Sequence, residues 1–332
     1  MYEMIIVGAG PAGISMAAEA RNVGISAGQI LVLEKGETHS WAIRKFYPDS
    51  KVVLANYKGI EAICAGVMCI SDMSKDETLT YIDRTIQQYE LVVRYNEAVS
   101  MIRPLVGGGF AVETSRGVYE ARRCAIAIGI LDKPNKPQYR IPVGLNQRVH
   151  YDLTSAAIEN EKCLVVGGGD TAGEYCQYLV EHGNQVALSY RGTEFYRLNR
   201  INYESLMALE KRGQIAILRG SNIKQVEVDQ SGDARVLFEE AAFPAQSFRH
   251  IVYALGGTTP TNFLKAIGIA FDGNAPVVKE GYETSIPGLY LIGDLSAGKK
   301  GGSINLAFNM AAQAMQSICS GSSDVCGPNG NM

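Results

Sequence analysis

The stretch Met4-Ile-Ile-Val-Gly8-Ala-Gly10-Pro-Ala-Gly13 is a short apolar run followed at once by three spaced glycines. It predicts a buried parallel strand that turns sharply into a helix. The first glycine permits the turn, the second lets a pyrophosphate approach the backbone, and the third lets helix and strand pack closely. The pattern returns at Cys163-Leu-Val-Val166 followed by Gly167-Gly-Gly169-Asp-Thr-Ala172. Two such units predict two nucleotide sites.

The residues that end the second strand of each unit distinguish the two sites. The first unit continues to Gln29-Ile-Leu-Val-Leu33 and ends in Glu34. A carboxylate there accepts hydrogen bonds from both ribose hydroxyls of an adenosine and repels a 2′-phosphate. We therefore predict an FAD-type site at the N-terminus.

The second unit has no acid at the corresponding strand end. Its strand ends in Ser189-Tyr190-Arg191, and Arg197 and Arg200 follow shortly after. Guanidinium groups suit a 2′-phosphate through charge-assisted and often bidentate hydrogen bonds, so we predict an NADPH site. The alternative is that these arginines belong to an ordinary solvated loop.

The composition is that of a soluble globular enzyme. The 332 residues are 46% hydrophobic and 20% charged, which is enough for two domains with real cores. A net charge of −3 predicts no nucleic-acid or membrane-surface partner, and no apolar run reaches the roughly 18 residues of a spanning helix. Seven cysteines without framework spacing predict a reducing, cytoplasmic location. Scattered histidines predict no metal site.

Two proline-containing segments predict where the chain crosses between domains. Lys133-Pro-Asn-Lys-Pro137 marks the first crossover, and Pro260 marks the second. The fold class is therefore α/β, with two Rossmann-like, three-layer, parallel-sheet dinucleotide-binding domains. Residues 1–132 and 256–332 form a discontinuous FAD-binding domain, and residues 133–255 form the NADPH-binding domain.

The order of the motifs resembles the thioredoxin-reductase-like flavoproteins over nearly the whole chain. The motifs are GAGPAG, Ala-Ile-Gly129, GGGDTA, Ala-Leu-Gly256-Gly and Leu-Ile-Gly293-Asp294. The resemblance implies a pyridine-nucleotide-disulfide-reductase-like fold and a homodimer. It also implies that Asp294 binds the flavin ribitol and that the segment containing Ala98 and Val99 lies beside the adenine of FAD.

The chain lacks the redox cysteines of that family. Thioredoxin reductases carry Cys-x-x-Cys shortly before the second glycine motif, where this chain has His150-Tyr-Asp-Leu-Thr-Ser155. A related branch that reduces small-thiol disulfides has a cysteine where this chain has Ala12. These departures argue against both chemistries.

What remains resembles the ferredoxin (flavodoxin)–NADP reductases of the thioredoxin-reductase type. Phe46-Tyr47-Pro48 and Tyr57-Lys-Gly59 are similar to that branch's segment beside the flavin. The similarity implies that Tyr47 stacks on the isoalloxazine, and Trp41 is a second candidate. For either ring the alternative is an aromatic in a domain core. That branch has a longer C-terminal extension, which we do not expect in this chain.

The candidate site residues follow from the motifs and the resemblance together. For FAD they are Gly8, Gly10, Pro11, Ala12, Gly13, Glu34, Lys35, Trp41, Tyr47, Ala98, Val99, Gly129, Gly293, Asp294, Ser303 and Ile304. For NADPH they are Gly167, Gly169, Asp170, Thr171, Ala172, Arg191 and Arg197. Lys299 and Lys300 precede the last helix, where they would assist backbone amides in stabilising charge on the flavin, or else form a solvated loop.

We therefore predict an FAD-dependent NADPH oxidoreductase that exchanges electrons with flavodoxin or ferredoxin, with quinones as further acceptors. An acidic carrier needs a local basic face, for which the candidates are Arg44, Lys45, Lys51, Lys58, Lys299 and Lys300.

Two alternatives stay open. One is an NADPH-dependent disulfide reductase that uses Cys64 and Cys69, and the other is a redox-sensing binding module. Cys64 and Cys69 flank an apolar stretch that reads as a strand, on which positions five apart point to opposite faces. The expectation is therefore that the two thiols diverge and are structural.

Overall fold

The chain divides into two compact units. A computed structural model describes residues 1–49, 51–57, 63–129, 134–153, 157–256, 260–298 and 301–321. The first unit comprises residues 1–44, 52–132 and 259–332, and the second comprises residues 45–51 and 133–258. The second unit thus includes Lys45–Lys51, which our predicted boundaries assign to the FAD-binding domain. Which nucleotide each unit binds stays a prediction.

The strands and helices are numbered in chain order. The strands are β1 (Tyr2–Val7), β2 (Ile30–Leu33), β3 (Val52–Val53), β4 (Met73–Ser74), β5 (Val93–Arg94), β6 (Val99–Pro104), β7 (Phe110–Thr114), β8 (Gly117–Ile126), β9 (Val149–His150), β10 (Lys162–Val166), β11 (Gln185–Tyr190), β12 (Ile215–Arg219), β13 (Ile223–Val228), β14 (Ala234–Phe238), β15 (Gln246–Phe248), β16 (His250–Tyr253), β17 (Phe271–Asp272), β18 (Ala275–Pro276) and β19 (Leu289–Leu291). The helices are α1 (Pro11–Asn22), α2 (Trp41–Phe46), α3 (Lys75–Gln88), α4 (Asp170–Glu181), α5 (Arg200–Lys211), α6 (Thr261–Ile267), α7 (Asp294–Ala297) and α8 (Ile304–Gly321). Within the described ranges, no helix combines the length and apolar character needed to cross a membrane.

The first unit is built on a sheet in the order β5-β2-β1-β8-β7-β6, with β19 paired to β8. Strands β5, β2, β1, β8 and β19 run parallel, whereas β7 pairs antiparallel with β6 and β8. The central strands are buried on both faces, which explains their unbroken apolar runs. Helix α1 packs on the sheet, and α8 packs against α1. The predicted doubly wound, parallel-sheet architecture is confirmed.

Helix α3 shows how local sequence sets the boundaries of an element. Ser74 accepts a hydrogen bond from the backbone N–H of Glu77, and the Glu77 side chain accepts one from the Ser74 backbone. This capping box begins the helix. Leu79 and Ile82 then bury the apolar face, as the helical spacing predicts.

The second unit has a five-stranded parallel sheet in the order β12-β11-β10-β16-β9. A separate antiparallel sheet of β13, β14 and β15 covers one face, and α4 and α5 pack together. Asn199 begins α5 by accepting a hydrogen bond from the backbone N–H of Asn202 at 2.9 Å. The unit is therefore a second Rossmann-like layer structure, as predicted.

A histidine pair lies at one edge of this parallel sheet. Nε2 of His150 on β9 lies 2.9 Å from Nδ1 of His250 on β16. Burial, together with the neighbouring His250, lowers the pKa of His150 to about 4. Burial and the nearby Arg148 and Arg249 also lower the pKa of His250. Both rings are therefore neutral in the folded protein at pH 7.

Acid should destabilise the second unit through this pair. An unfolded histidine binds its proton near pH 6.5, whereas folded His150 binds it only near pH 4. Because the unfolded chain takes up protons first, the free energy of unfolding must fall as the pH drops from 6.5 to 4. His150→Gln, which cannot titrate, should make the urea midpoint less dependent on pH across this window. If the urea midpoints of the variant and the wild type changed equally with pH, the lowered pKa of His150 would be refuted.

Candidate functional site

The first glycine turn connects β1 to α1 without room for side chains at two positions. Gly8 has φ of +103°, and a Cβ there would lie 2.5 Å from the carbonyl oxygen of Ala127. A Cβ on Gly13 would overlap the Gly8 carbonyl, so the helix can approach the strand only because residue 13 is glycine. Gly10, by contrast, faces open space at the start of α1. Uncapped N–H groups at a helix start form an anion site, and Pro11 and Ala12 lie in that first turn.

Glu34 connects this turn to the end of β2. One carboxylate oxygen accepts a hydrogen bond from the Ala9 backbone N–H at 2.8 Å, and the other accepts one from the Gly36 backbone N–H at 2.7 Å. The side chain is 8% exposed and therefore fixed in orientation. Its remaining lone pairs fit the ribose hydroxyls of an adenosine, as the sequence predicts. The neighbouring Lys35 is exposed.

The segment before β6 runs beside Glu34. The backbone N–H of Glu97 donates to the Glu34 carbonyl at 2.9 Å, which places Ala98 and Val99 next to the predicted ribose position. The Glu97 side chain is 1% exposed, and its Oε2 has no hydrogen-bond partner among the described residues. A buried acceptor of this kind fits a donor on a bound ligand, such as the amino group of an adenine.

The turn after β19 lies against α1. A Cβ on Gly293 would be 3.0 Å from the Ala12 Cβ, so Gly293 and Asp294 lie close to the first glycine turn. Asp294 Oδ1 accepts a hydrogen bond from the Gly302 backbone N–H at 2.6 Å, which holds the loop that leads into α8. Gly129, three residues after β8, has φ of +64° and open space beside it, which leaves room for a cofactor.

The first turn of α8 contains a further buried acceptor. Ser303 caps the helix by accepting a hydrogen bond from the Leu306 backbone N–H at 3.1 Å, and Ile304 is buried. Asn305 is 2% exposed, and its Oδ1 has no partner among the described residues. Such an acceptor fits a ligand N–H near the predicted flavin. Lys299 and Lys300 lie outside the described residues.

The aromatic candidates for the flavin have different neighbours in the structure, and their stacking on a flavin stays a prediction. Tyr47 belongs to the second unit, where the Lys51 ammonium lies 5.1 Å from its ring centroid. The Trp41 ring packs on Gly36, beside Glu34. Tyr57 lies next to the α8 loop, because a Cβ on Gly302 would be 3.3 Å from its ring. Tyr57 is thus an aromatic candidate for the flavin that we did not single out, although the segment Tyr57-Lys-Gly59 had pointed to it.

The second glycine turn, between β10 and α4, repeats the first. Gly167 has φ of +157°, and a Cβ there would lie 2.5 Å from the carbonyl oxygen of Ala254. Gly169 begins α4 and faces open space, as Gly10 does in the first turn. Ala172 is buried against Gly167, and Thr171 is exposed at the helix start. This site also fits the pyrophosphate of a dinucleotide.

Two arginines flank the second turn. Arg197 forms an isolated parallel bridge with Gly169, which brings its backbone to the start of α4. Arg191 directly follows β11, and both side chains are exposed. Neither has an acidic partner among the residues that the structure describes. Both guanidinium groups are thus available to a phosphate.

Two further contacts at this site were not predicted. The Tyr190 ring stacks on Phe195, with centroids 4.6 Å apart, and also packs against Gly168, so a side chain at residue 168 would overlap it. Asp170 accepts hydrogen bonds from the Asn199 backbone N–H at 2.7 Å and from Asn202 Nδ2 at 3.1 Å. The Asp170 carboxylate therefore also holds the start of α5.

The prediction that Cys64 and Cys69 diverge is wrong. Residues 65–70 are irregular with a bend at residues 66 and 67 rather than a strand, and the two cysteines are joined by a disulfide with Cα atoms 5.3 Å apart. Both cysteines are exposed. Cys124, Cys163 and Cys176 are buried thiols, and burial raises the pKa of Cys163 to about 12. These three are inert at neutral pH.

The proposed basic face finds no support in the described residues. Arg44 lies 3.7 Å from Asp83, Lys45 lies 3.9 Å from Asp152, and Lys51 pairs with Glu174. Lys58, Lys299 and Lys300 lie outside the described residues. In the described ranges, no cluster of three or more His, Cys, Asp or Glu side chains is arranged to hold a metal ion.

Comparison with known proteins gives one family for most of the chain. Residues 5–293 match the family described as "Pyridine nucleotide-disulphide oxidoreductase". Among curated proteins, a ferredoxin–NADP reductase of Ignicoccus hospitalis is 25% identical over 303 residues, which are 90% of this chain and 92% of that protein. The bacilliredoxin reductase Bdr of Bacillus subtilis is 26% identical over 313 residues, which are 90% and 91% of the two chains.

Solved structures share the fold at lower sequence identity. The bacillithiol disulfide reductase Bdr of Staphylococcus aureus has a TM-score of 0.80 at 22% identity, with 97% of this chain and 99% of that chain covered. A thioredoxin reductase of T. acidophilum has a TM-score of 0.79 at 20% identity, with the same coverage. These likenesses establish the fold.

Glu34→Gln should weaken retention of FAD. The amide replaces one acceptor oxygen with an NH₂ group that faces a backbone N–H, and it lowers the strength of the ribose hydrogen bonds. The loss of a hydrogen bond to a charged group predicts a roughly 10- to 100-fold increase in the Kd for FAD. Flavin absorbance after gel filtration measures this retention. The control is Glu37→Gln at an exposed position nearby, and equal flavin content in both variants would contradict the assignment.

Arg191→Ala and Arg197→Ala should each raise the KM for NADPH about tenfold or more, because each removes a charge-assisted hydrogen bond to the 2′-phosphate. The KM for NADH should not change, since NADH lacks that group. Arg212→Ala is the matched control, because Arg212 is exposed at the C-terminal end of α5 and is not a candidate for phosphate recognition. An equal rise in the KM for NADPH and the KM for NADH would contradict a role of these arginines in binding the 2′-phosphate.

Proposed function

Because the chain belongs to the pyridine nucleotide-disulphide oxidoreductase family and is a flavin-dependent enzyme with FAD and NADPH as its cofactors, we propose that it exchanges electrons with a ferredoxin- or flavodoxin-type carrier. The observation that carries the choice of a carrier is the lack of cysteine at residue 12 and at residues 150–155. The contrast between the two glycine turns supports the two nucleotides of the reaction. Glu34 stands at the first, and Arg191 and Arg197, which have no acidic partner in the described part of the chain, stand at the second. An acid and two guanidinium groups select a plain ribose and a 2′-phosphorylated ribose respectively.

The residues of the chain bind and orient the two nucleotides. We assign the uncapped starts of α1 and α4 to the two pyrophosphates, because N–H groups and the helix dipole favour negative charge there. We assign Asp294 and the first turn of α8 to the flavin end, where Asp294 fixes the loop by accepting from Gly302. When bound, FAD supplies the chemistry that takes a hydride from NADPH and passes electrons to the carrier.

The positions that hold redox cysteines in related disulfide reductases support the carrier reaction. Residue 12 is alanine, and the stretch from His150 to Ser155 contains no cysteine. The curated relatives that are named ferredoxin–NADP reductase include one that covers 90% of this chain. Quinone reduction, a homodimer and a cytoplasmic location stay predictions of the sequence and the resemblance.

The carrier reaction is tested with the purified flavoprotein under anaerobic conditions. NADPH should bleach the flavin absorbance, and oxidised flavodoxin or ferredoxin should restore it while thioredoxin should not. Cys64→Ser/Cys69→Ser should keep both the bleaching and the recovery, because the proposed reaction uses no thiol. Bleaching without recovery by either carrier would reject the proposal.

A second candidate function is NADPH-dependent disulfide reduction through Cys64 and Cys69. It is favoured by the exposed disulfide between these residues and by similarity to a protein named bacilliredoxin reductase. The same double variant separates the candidates. A disulfide reductase would lose turnover with a disulfide substrate while keeping its bound flavin, whereas a carrier reductase would keep its turnover with flavodoxin.

A further inference from the structure

The loop from Cys64 to Cys69 exposes a disulfide to solvent, while neighbouring residues hold the backbone of the loop in place. An extended strand would separate the two Cα atoms by about 16 Å. Here they lie 5.3 Å apart, because the backbone turns between them. The cysteines are exposed, whereas Met68 and Ile70 are 1% and 3% exposed and anchor the loop in the core. The disulfide is therefore accessible from solvent while its backbone is held.

Two helices that are distant in sequence hold the loop. The Val67 backbone N–H donates to Oε1 of Glu19 on α1 at 2.7 Å. The Ala65 backbone N–H donates to Oδ1 of Asn309 on α8 at 3.0 Å, and Asn309 Nδ2 donates to the Ile63 carbonyl at 2.7 Å. Both anchors act on backbone atoms, so they do not depend on the bond between the sulfurs.

A third anchor fixes the end of the loop. The Cys69 backbone N–H donates to the Tyr81 hydroxyl of α3 at 3.0 Å. Tyr81 in turn lies edge-on to Phe308 of α8, with ring centroids 6.4 Å apart. The cysteine at each end of the loop is thus fixed relative to the same helix, α8.

Glu19 is an unusual group for the buried face of a helix. Its residue is 6% exposed, and burial raises the pKa of its carboxyl, while the hydrogen bond from Val67 opposes that shift. Gly66 lies directly on this carboxyl, and a Cβ at residue 66 would overlap both Glu19 and Ala312. A buried carboxyl costs free energy unless it has partners. Its contact with Val67 is at the centre of the loop, midway between the cysteines.

We propose that the Cys64–Cys69 pair is a second redox site of this chain, which opens and closes by exchange with a dithiol, and that Glu19 is the residue that positions it. A thiolate of the dithiol attacks one sulfur, the Cys64–Cys69 bond breaks, and the released cysteine takes up a proton. The second thiolate of the dithiol then attacks the mixed disulfide. The dithiol leaves as a disulfide, and two electrons remain on the pair as two thiols.

The fixed loop selects a dithiol over a single thiol. After a monothiol has formed the mixed disulfide, the second cysteine of the loop stays beside it and displaces it. The neighbouring cysteine acts at a high effective concentration because the backbone anchors hold it in place. A dithiol escapes this reversal, since its own second thiol completes the exchange first or equally fast.

This inference deepens the second candidate function, because it gives that disulfide a substrate class. The exchange needs neither FAD nor NADPH, so it can succeed where NADPH-driven disulfide reduction fails. Conversely, the Cys64→Ser/Cys69→Ser variant lacks the disulfide and should still reduce the carrier, so carrier reduction can succeed where dithiol exchange fails. The two sets of results therefore separate the proposals.

The test equilibrates the FAD-loaded protein anaerobically with defined ratios of reduced to oxidised dithiothreitol. An acid quench, alkylation and peptide mass analysis then give the fraction of the Cys64–Cys69 peptide that is oxidised. We expect one reversible two-electron transition with the flavin spectrum and the circular dichroism unchanged. Reduced glutathione at the same thiol concentration should leave most of the pair oxidised.

Variants at Glu19 test its positioning role. Glu19→Ala should lower the equilibrium constant for closing the disulfide about tenfold, because a backbone N–H loses its acceptor and the loop loosens. Glu19→Gln keeps an acceptor oxygen and should restore the wild-type constant. Asn309→Ala removes a different anchor and should act in the same direction as Glu19→Ala, which covers the case in which Glu19→Ala does not fold.

Three results would overturn the proposal. The first is a pair that remains two thiols at every ratio of oxidised dithiothreitol. The second is a disulfide that dithiothreitol opens only in urea, which would make it a structural bond. The third is an equilibrium constant that is the same in wild type, Glu19→Ala and Asn309→Ala.

Discussion

The Glu34 carboxylate is the interaction on which the first unit depends most. Its two oxygens accept hydrogen bonds from the backbone N–H groups of Ala9 and Gly36, so it joins the turn after β1 to the end of β2. Its own backbone accepts from Glu97 and donates to Arg94. One residue therefore aligns four segments at the carboxyl edge of the sheet. That edge is where dinucleotides bind in open α/β sheets.

The corresponding edge of the second unit has no acid at the end of β11. Its glycine turn has the same steric requirement at Gly167 as the first has at Gly8, but β11 is followed by a guanidinium group. The two units thus share a pyrophosphate geometry and differ in the charge that meets the ribose. We propose that this difference in charge assigns FAD to the first unit and NADPH to the second.

Local patterns predicted the glycine turns, the parallel strands and helices that flank them, and the acid at the end of β2, because strand-turn-helix geometry depends on residues that are close in sequence. Contacts between distant segments were not predictable. Cys64 and Cys69 meet because Glu19 and Asn309 hold the loop from two helices, one of them 244 residues away. Tyr57 reaches Gly302, and Lys45–Lys51 joins the second unit, for similar long-range reasons. The apolar run 65–70 resembled a strand since anchoring residues and strand residues are both apolar.

The most direct measurement of the central claim is the nucleotide stoichiometry of the purified protein. Heat-released flavin identifies the resident nucleotide, and calorimetric titration of the intact protein with 2′,5′-ADP and with 5′-AMP probes the second site. We predict one FAD for each chain and one 2′,5′-ADP site that binds 5′-AMP at least about tenfold more weakly, because the 2′-phosphate meets Arg191 and Arg197. Equal affinity for the two adenosine phosphates, or a protein without FAD, would contradict the division into two different nucleotide sites.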